Sequence, residues 1–508
     1  MMPSASAPIS LKPQSDPFMT IERLNQIVRT LLLLGLLTVF GWLLVRHLLD
    51  DREARGFGRI LQGAGNDPGV RVLLANRLPP EPQNTHDRVT IQILQAAELL
   101  APDDPEHKRE VLKPGAIVRI EVEGNNGFSL TSKDWAQGSK DLHWAVQSLL
   151  LIPRATRPAS ENRLDAEGNP VVPNPRTFEA ADQRAVFRLP TIDAKSQPQY
   201  RGSLQILWNS PKDLQLINIL PMEAYLEGVI AVEMNPSWPL EALKAQAIAS
   251  RGFAYCKAAA AQKRPFDLVD TRDDQEYRGA GFSTLGVVKA VLDTRGVIPT
   301  IHANPFIPLF SASSGGFTAD IGDVFPGAKD LYGREPLSTV MIAKQDPYCL
   351  PGIIALGKQD THWETANDIL SQDIQKRLAA AWQANAQPGA PQIGYVNQLR
   401  VGRRDQRSNR VETVLVFHTL SAQPVEVPAK LFRDLIGPQL IKSTLWTTES
   451  PKKIEGSDRK FRWRIATLGW GHGVGMSQVS AWEMARQGRS AKTILEFFYQ
   501  DVELKAMW

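Results

Sequence analysis

One uncharged apolar run near the N-terminus constrains this chain more than any other feature of its sequence. Residues 30–45 read TLLLLGLLTVFGWLLV, and two further apolar residues stand just before Arg29. A helix needs about 20 mostly apolar residues to cross the hydrocarbon core of a membrane. Snorkelling by Arg29 and Arg46 would make up the small difference. We therefore predict a transmembrane helix over residues 27–48.

A cleavable signal peptide is the competing interpretation of this run. No small-x-small cleavage site follows it, and HLLDD at 47–51 is a poor one, so an uncleaved anchor is favoured. Residues 1–26 are polar and rich in Pro and Ser, which predicts a disordered tail. Residues 49–69 read as a linker. Basic residues flank the apolar run on both sides, so charge alone leaves its orientation open.

The overall charge excludes some classes of partner. The 508 residues carry 58 basic and 54 acidic side chains, a formal net charge of +4. So small an excess, without a basic block interleaved with aromatics, does not suggest nucleic acid. Cys256 and Cys349 are the only cysteines, and they form either one disulfide or two small buried thiols, the second being favoured. No His/Cys cluster has metal-ligand spacing, so neither a metal nor another cofactor is expected.

The remaining chain mixes strand and helix patterns in separate blocks. Period-two alternation predicts strands, at 70–74, 89–94, 118–122, 203–208 and 214–220, the last two as a hairpin. Helical spacing predicts helices, at 239–261, 283–294, 478–487 and 491–499. Such segregation is typical of an α+β fold.

Two stretches interrupt this pattern. Residues 153–175 are rich in Pro, Asn and Arg and are predicted to form a loop. Residues 371–457 are weakly patterned, and we predict a strand-containing insertion there. The chain from 70 to 505 is otherwise interpreted as one domain.

Three motif blocks carry the chemistry. The first, residues 220–251, reads LPMEAYLEGVIAVEMNPSWPLEALKAQAIASR. The second pairs TRG at 294–296 with SSGGFT at 313–318 and DVF at 323–325, and the third is GWGHGVGMSQ at 469–478. In order and content these blocks resemble the signature of the stage II sporulation protein D family, also called the amidase-enhancer or LytB-type family.

The resemblance implies a lytic transglycosylase that cleaves peptidoglycan glycan strands, preferentially those without stem peptides. In the family, the Glu of the Glu-Met step is catalytic, and that residue is Glu233 here. Intramolecular attack by the 6-hydroxyl of the sugar removes the need for a protein nucleophile, so one carboxyl group can act as acid and then as base, where ordinary hydrolysis uses two. That role needs a protonated acid near neutral pH, which desolvation by Val232, Met234 and Trp238 could provide.

Alternatives remain for the acidic and basic residues of the first block. Glu233 could instead cap or pair at the start of the helix that follows Pro239. Glu227 could supply a second carboxylate for hydrolysis, although a solvated loop position is favoured. Arg251 could orient Glu233 or bind a sugar hydroxyl, or it could be an ordinary pairing residue.

The other two blocks supply the remaining candidate substrate-binding residues, which are Ser313, Ser314, Gly315, Gly316, Trp470, His472 and Gln478. The glycines would let the backbone approach a saccharide, the serine hydroxyls could donate to sugar oxygens, and the alternative is a tight turn. Trp470 offers a ring for stacking. His472 could assist proton transfer or be structural.

Two departures from the family pattern bear on these expectations. Where family members often read Phe-Tyr-His-Ser-Ser-Ser-Gly-Gly, residues 309–316 read LFSASSGG, which lacks the hydroxyl and the His of a proton relay. Where some members carry a zinc-binding His-Cys pair, residues 270–277 read DTRDDQEY, so zinc is not expected. A non-catalytic glycan-binding module that recruits or stimulates a cell-wall amidase is therefore the alternative function. Either function places everything after residue 45 outside the cytoplasmic membrane, in an extracytoplasmic or periplasmic position.

Overall fold

The computed structural model describes the chain in ranges that begin at Asp67 and end at the last residue. They are 67–74, 88–106, 108–123, 127–132, 140–153, 186–189, 198–210, 213–261, 264–358, 362–384, 392–455 and 460–508. The predicted tail at 1–26, the anchor at 27–48, most of the linker and the loop from 154 onwards lie outside these ranges. No helix within these ranges is long and apolar enough to cross a membrane.

The first half of the described chain is dominated by antiparallel strands. They are β1 (Gly69–Leu73), β2 (Arg88–Ile93), β3 (Ala97–Leu100), β4 (Arg109–Leu112), β5 (Ile117–Val122), β6 (Phe128–Ser132), β7 (Lys140–Trp144), β8 (Ser148–Pro153), β9 (Phe187–Arg188), β10 (Gln199–Tyr200), β11 (Ser203–Ser210), β12 (Asp213–Pro221) and β13 (Leu268–Val269). One sheet has the order β13-β1-β12-β11-β8-β3-β4, and the other has the order β10-β9-β2-β5-β6-β7. The five predicted strands are confirmed, as is the β11–β12 hairpin, in which Ile206 lies opposite Leu216.

Helices and short strands follow. The helices are α1 (Met222–Glu233), α2 (Leu240–Ala260), α3 (Leu285–Asp293), α4 (Ile321–Val324), α5 (Cys349–Ala355), α6 (Ser371–Ala384), α7 (Ala429–Ile436), α8 (Gln478–Arg486) and α9 (Ala491–Phe498), with single 3-10 turns at Ala280–Phe282 and Leu337–Thr339. The strands are β14 (Val297–Ile301), β15 (Asn304–Pro305), β16 (Phe310–Ser311), β17 (Glu364–Leu370), β18 (Val396–Arg404), β19 (Val411–His418), β20 (Val425–Pro428), β21 (Lys452–Glu455), β22 (Phe461–Leu468), β23 (Met476–Ser477) and β24 (Glu503–Ala506). The four predicted helices are confirmed as α2, α3, α8 and α9, and the mixture of sheets and helices confirms the α+β class.

Helix α1 was not predicted, and its start and end have local causes. It follows β12 directly, and the backbone N–H of its first residue, Met222, donates to the Asp67 carboxylate at 2.9 Å. This contact satisfies one of the free N–H groups at a helix start, although the two residues lie far apart in sequence. Pro236 disfavours helical geometry at the residue before it, and Met234 is already extended, so α1 ends at Glu233.

Helix α2 is the centre of the helical layer. Its buried positions occur on every face of the helix, and they run from Ala242 to Ala258. Small side chains allow close packing there, since a Cβ at Gly252 would lie only 2.7 Å from Pro299 of β14. An Ala-rich helix buried all round is therefore surrounded by the elements that carry the motif blocks.

The predicted insertion contains two helices as well as strands. Its elements form two three-stranded sheets, β17-β22-β21 and β18-β19-β20, with α6 and α7 packed on them. One buried apolar cluster joins these elements and includes Ile369 and Trp463, which lie beyond the predicted limits of 371 and 457. Packing in this part of the chain thus extends past both limits.

Candidate functional site

Glu233 lies at the junction between α1 and the turn that leads into α2. Met234 beside it is buried, whereas the side chain of Glu233 itself is half-buried. The backbone N–H of Trp238 closes this turn on the carbonyl of Asn235 at 3.0 Å. Glu233 therefore ends one helix and does not cap the start of the next, so the capping alternative is wrong.

Two groups from distant parts of the chain hold the Glu233 carboxyl. The backbone N–H of Glu276 donates to Oε1 at 3.0 Å. The side-chain amide of Gln478, the first residue of α8, donates to Oε2 at 3.5 Å. The second contact is at the long limit for a hydrogen bond, so Oε2 is the oxygen that is freer to carry a proton.

The environment of Glu233 favours the protonated acid. Desolvation by burial is the largest influence and raises the pKa of Glu233 above its usual value, and the nearby Glu276 carboxylate raises it further. The two hydrogen bonds and the positive charge of Arg272 oppose this rise in pKa without cancelling it. The C-terminal end of α1 also disfavours negative charge, because the helix dipole is negative there.

The loop that supplies the Glu276 N–H is fixed against α1. Tyr225 of α1 donates its hydroxyl to Gln275 at 3.2 Å, and its ring lies 5.2 Å from the ring of Tyr277. Gly228 is required here, since a Cβ would approach the Tyr277 ring to 2.6 Å. The glycine of the first motif thus lets the loop reach the end of α1.

Gln478 connects the third motif block to the first. Its amide also donates to the Gln246 side chain of α2 at 3.4 Å, and Gln246 in turn donates to Ser250 at 2.9 Å. Both Gln478 and Gln246 are buried. Of the residues predicted to bind substrate, Gln478 is the one that the structure brings into contact with Glu233.

The second and third blocks pack on each other. Strand β16 pairs with β23 in parallel, and Ser313 forms a bridge with Trp470. Ser314 donates its hydroxyl to Asp346 at 2.6 Å, and the hydroxyl of Ser313 lies 3.3 Å from Cys349 Sγ. Both serines are buried, so the expectation that their hydroxyls donate to sugar oxygens is wrong; their hydrogen bonds are internal.

The two glycines after these serines have different surroundings. Gly315 has φ +74° and is buried, with the carbonyl of Leu468 only 2.8 Å from where its Cβ would be. Gly316 has φ +95° and is half-buried beside the ring of Trp363. Both positive φ values require glycine, and they turn the chain sharply at this point.

Trp470 and His472 belong to a cluster that the structure does not bring into contact with Glu233. The Lys442 ammonium lies 4.2 Å from the centre of the Trp470 ring. The centre of the His362 ring lies 5.1 Å from the same point. Burial lowers the pKa of His472 to about 3, with help from Arg433 and other nearby cations. A ring that stays neutral and accepts a hydrogen bond from the Val474 N–H at 3.0 Å fits the structural interpretation of His472.

Arg251 also lies away from Glu233. It has no exposed surface and forms a two-pronged ion pair with Glu223, at 3.0 Å from Nε and 2.6 Å from Nη2. Since a sugar cannot reach it, the prediction that Arg251 binds substrate or orients Glu233 is replaced by a pairing role. Glu227 is likewise buried and paired, with Arg201 at 2.7 Å, so it is neither a solvated loop residue nor a free second carboxylate.

Sequence reasoning missed two residues that shape the site. Glu276 donates its N–H to Glu233, and its carboxylate pairs with Arg278 and, at 3.6 Å, with Arg272. Arg410 of the insertion is buried and donates to the carbonyls of Ser314 at 2.6 Å and Phe317 at 3.0 Å. Glu276 stands in the DTRDDQEY segment already compared with the family pattern and could have been singled out there, whereas nothing in the pattern around Arg410 indicates its contact.

Carboxylates that could hold a metal occur elsewhere. Within the described ranges, the ligand oxygens of Asp323, Asp405 and Glu412 lie within 4.8 Å of one another. These residues are exposed or half-buried, and none of them contacts Glu233. The two cysteines, Cys256 and Cys349, are free and buried, which confirms the favoured interpretation of the pair.

The chain is similar to one protein family and to several known proteins. Residues 210–300, which include Glu233 and Glu276, match the family model described as Stage II sporulation protein. An uncharacterized protein of Brachyspira hyodysenteriae is 29% identical over 308 residues, covering 60% of this chain and 72% of that protein. The amidase enhancer of Bacillus subtilis is 27% identical over 300 residues, covering 55% of this chain and 40% of the enhancer.

Stage II sporulation protein D of Bacillus subtilis is 23% identical over 381 residues, which cover 71% of this chain and 91% of that protein. This match of 381 residues extends well beyond residues 210–300, which the family model covers. Together, the family match and these relatives support placing the chain with stage II sporulation protein D and the amidase enhancer.

Proposed function

We propose that this protein is a lytic transglycosylase that cleaves peptidoglycan glycan strands, preferentially those lacking stem peptides, with Glu233 as general acid and then general base. The observation that carries the proposal is the half-buried Glu233 carboxyl with a raised pKa, held through Oε1 and freer at Oε2. Such a carboxyl is protonated at higher pH than an ordinary glutamate and can deliver its proton.

The reaction needs one carboxyl group. Glu233 gives its proton to the glycosidic oxygen as the bond from that oxygen to C1 of the muramic acid breaks. The resulting carboxylate then takes the proton from the 6-hydroxyl of the muramic acid. The 6-oxygen bonds to C1 of that same sugar at this step. The products are a 1,6-anhydro sugar and a free 4-hydroxyl, no water is consumed, and Glu233 returns to its protonated form.

A hydrolase is the mechanism to exclude, because a second carboxylate stands nearby. Glu276 is that carboxylate, and it pairs with Arg272 and Arg278. In a hydrolase Glu276 would activate water, and its loss would abolish cleavage. In the proposed mechanism it only raises the pKa of Glu233.

Two matched variants separate these mechanisms. Purified protein is incubated with amidase-treated and untreated glycan strands, and the products are identified by mass spectrometry. We expect 1,6-anhydro ends, a loss of about 10²–10⁴-fold in rate in Glu233→Gln, and retained cleavage in Glu276→Gln. Full activity of Glu233→Gln, or reducing ends that disappear in Glu276→Gln, would contradict the proposal.

The similarity to the amidase enhancer supports a second candidate, a non-catalytic glycan-binding module that recruits or stimulates a cell-wall amidase. Binding of strands by the wild type without any cleavage, together with faster amidase turnover in its presence, would favour this module. Both functions require the described domain to lie outside the cytoplasmic membrane, held by the apolar segment at 27–48. Protease accessibility of the domain in spheroplasts tests that placement.

A further inference from the structure

Two half-buried tryptophans lie on the two segments that meet at Glu233, and neither transfers a proton in the proposed chemistry. Trp238 lies in the turn after Glu233, and Trp482 lies on α8, one helical turn after Gln478. Their ring centres are 6.4 Å apart and the rings are inclined at 54°. Residues four apart on a helix share a face, so Trp482 lies on the face of α8 from which Gln478 reaches Glu233.

We propose that Trp238 and Trp482 form a sugar-binding platform that holds a pyranose ring of the glycan strand next to the bond that Glu233 cleaves. The inference rests on the proposed function for the identity of the polymer. An indole offers a flat apolar surface to the apolar face of a pyranose, and it carries an N–H that can donate to a sugar oxygen. Within the described part of the chain, neither indole N–H donates to a protein group.

Both rings are held in place, as a platform requires. The backbone turn from Asn235 to Trp238 is closed by a hydrogen bond, and the Asn235 side chain accepts from the Ser237 N–H at 3.0 Å. On α8, the Arg486 guanidinium lies 5.8 Å from the centre of the Trp482 ring and is fixed by two 2.8 Å hydrogen bonds to Glu483. Preorganised aromatic surfaces lose little entropy on binding.

The test measures binding separately from cleavage. All variants are made in the Glu233→Gln background, and binding of amidase-treated glycan strands and of a soluble β-1,4-linked N-acetylglucosamine tetramer is measured by calorimetry. Trp482→Ala should weaken binding by about tenfold, or about 1.4 kcal/mol, and Trp482→Phe should retain part of it because a ring remains. Trp238→Ala should behave like Trp482→Ala.

The control is Trp382→Ala, which removes a half-buried tryptophan of α6 in the insertion. It should leave binding unchanged, and thermal melts of every variant identify any loss of fold. Wild-type affinity in folded Trp482→Ala would overturn the platform, as would equal losses in Trp482→Ala and Trp482→Phe.

The same tryptophan substitutions are also made in protein that keeps Glu233, and their cleavage rates are measured. This second measurement distinguishes failure of the platform from failure of the proposed function. Cleavage with an unchanged KM in Trp482→Ala would overturn the platform and leave the proposed function standing. Absence of cleavage by the wild type, with binding that still depends on Trp482, would overturn the transglycosylase and leave the platform.

Discussion

Replacement of Arg251 by methionine should destabilise the fold and leave glycan binding by the folded protein unchanged. The Arg251 guanidinium is fully buried and donates to both carboxylate oxygens of Glu223 and, at 3.0 Å, to the carbonyl of Val297. Without it, the buried Glu223 carboxylate would keep the Gly296 N–H at 3.1 Å but lose its counter-charge. The perturbation thus leaves an uncompensated charge in the interior.

The magnitude follows from that environment. Removal of one partner of a buried ion pair costs about 3–5 kcal/mol, whereas replacement of both partners by groups of similar volume is often close to neutral. We therefore expect a loss of about 3–5 kcal/mol for Arg251→Met and a smaller loss for the double variant Arg251→Met/Glu223→Gln. The favourable coupling between the two sites should be on the order of 2 kcal/mol.

Urea unfolding followed by circular dichroism measures these free energies, with the wild type, both single variants and the double variant compared at constant slope. Glycan binding is measured in parallel below the unfolding transition, where about twofold agreement with the wild type is expected. A variant Arg251→Met as stable as the wild type but with weakened glycan binding would refute this reasoning. It would return Arg251 to the substrate-binding residues.

Three further predictions concern protonation and buried groups. The raised pKa of Glu233 keeps its acid form populated to higher pH, so cleavage should fall as the pH rises through that pKa, and Glu276→Gln should move the fall to lower pH in a pH–rate profile. The raised pKa also contributes to the free energy of unfolding. This contribution is complete below the ordinary glutamate pKa and is lost as the pH rises through the raised pKa, which urea unfolding at a series of acidic to neutral pH values would detect. Asp346→Ala should cost about 1–3 kcal/mol of unfolding free energy, because it leaves the buried Ser314 hydroxyl without its acceptor and removes one of two acceptors of Ser480, and Asp346→Asn should cost less. Burial raises the pKa of Cys256, so it and the buried Cys349 should react with a thiol reagent only after unfolding, and rapid reaction of the native protein would contradict their placement.

Local patterns predicted the elements whose packing follows from their own sequence. Alternation in β2 matches its alternating burial, and helical spacing located α2 within one residue at each end. Helix α1 was missed because its apolar, β-branched run continues directly from a strand without a turn signal. The backbone N–H of its first residue needs an acceptor, and Asp67 supplies it. No pattern within the helix can indicate this distant partner.

The site shows the same division between local and distant information. Glu233 was found because the motif around it is contiguous, but the groups that tune its pKa come from residues 43 and 245 positions away. Ser313 and Ser314 were predicted to bind sugar because the sequence alone does not show whether a hydroxyl next to glycines is buried. Their burial depends on Asp346 and on the insertion, whose Arg410 reaches the carbonyl of Ser314 across 96 positions.

The contact between Gln478 and Glu233 also sets the order in which the protein can mature. At a synthesis rate of about 5–20 residues per second, the 245 residues between them take roughly 12–50 s to produce. During that interval the Gln478 amide has not been made, so the Glu233 carboxyl lacks one of its two hydrogen-bond donors. The Glu233 carboxyl proposed as the acid therefore reaches its final environment only after the segment up to Gln478 has been made and folded.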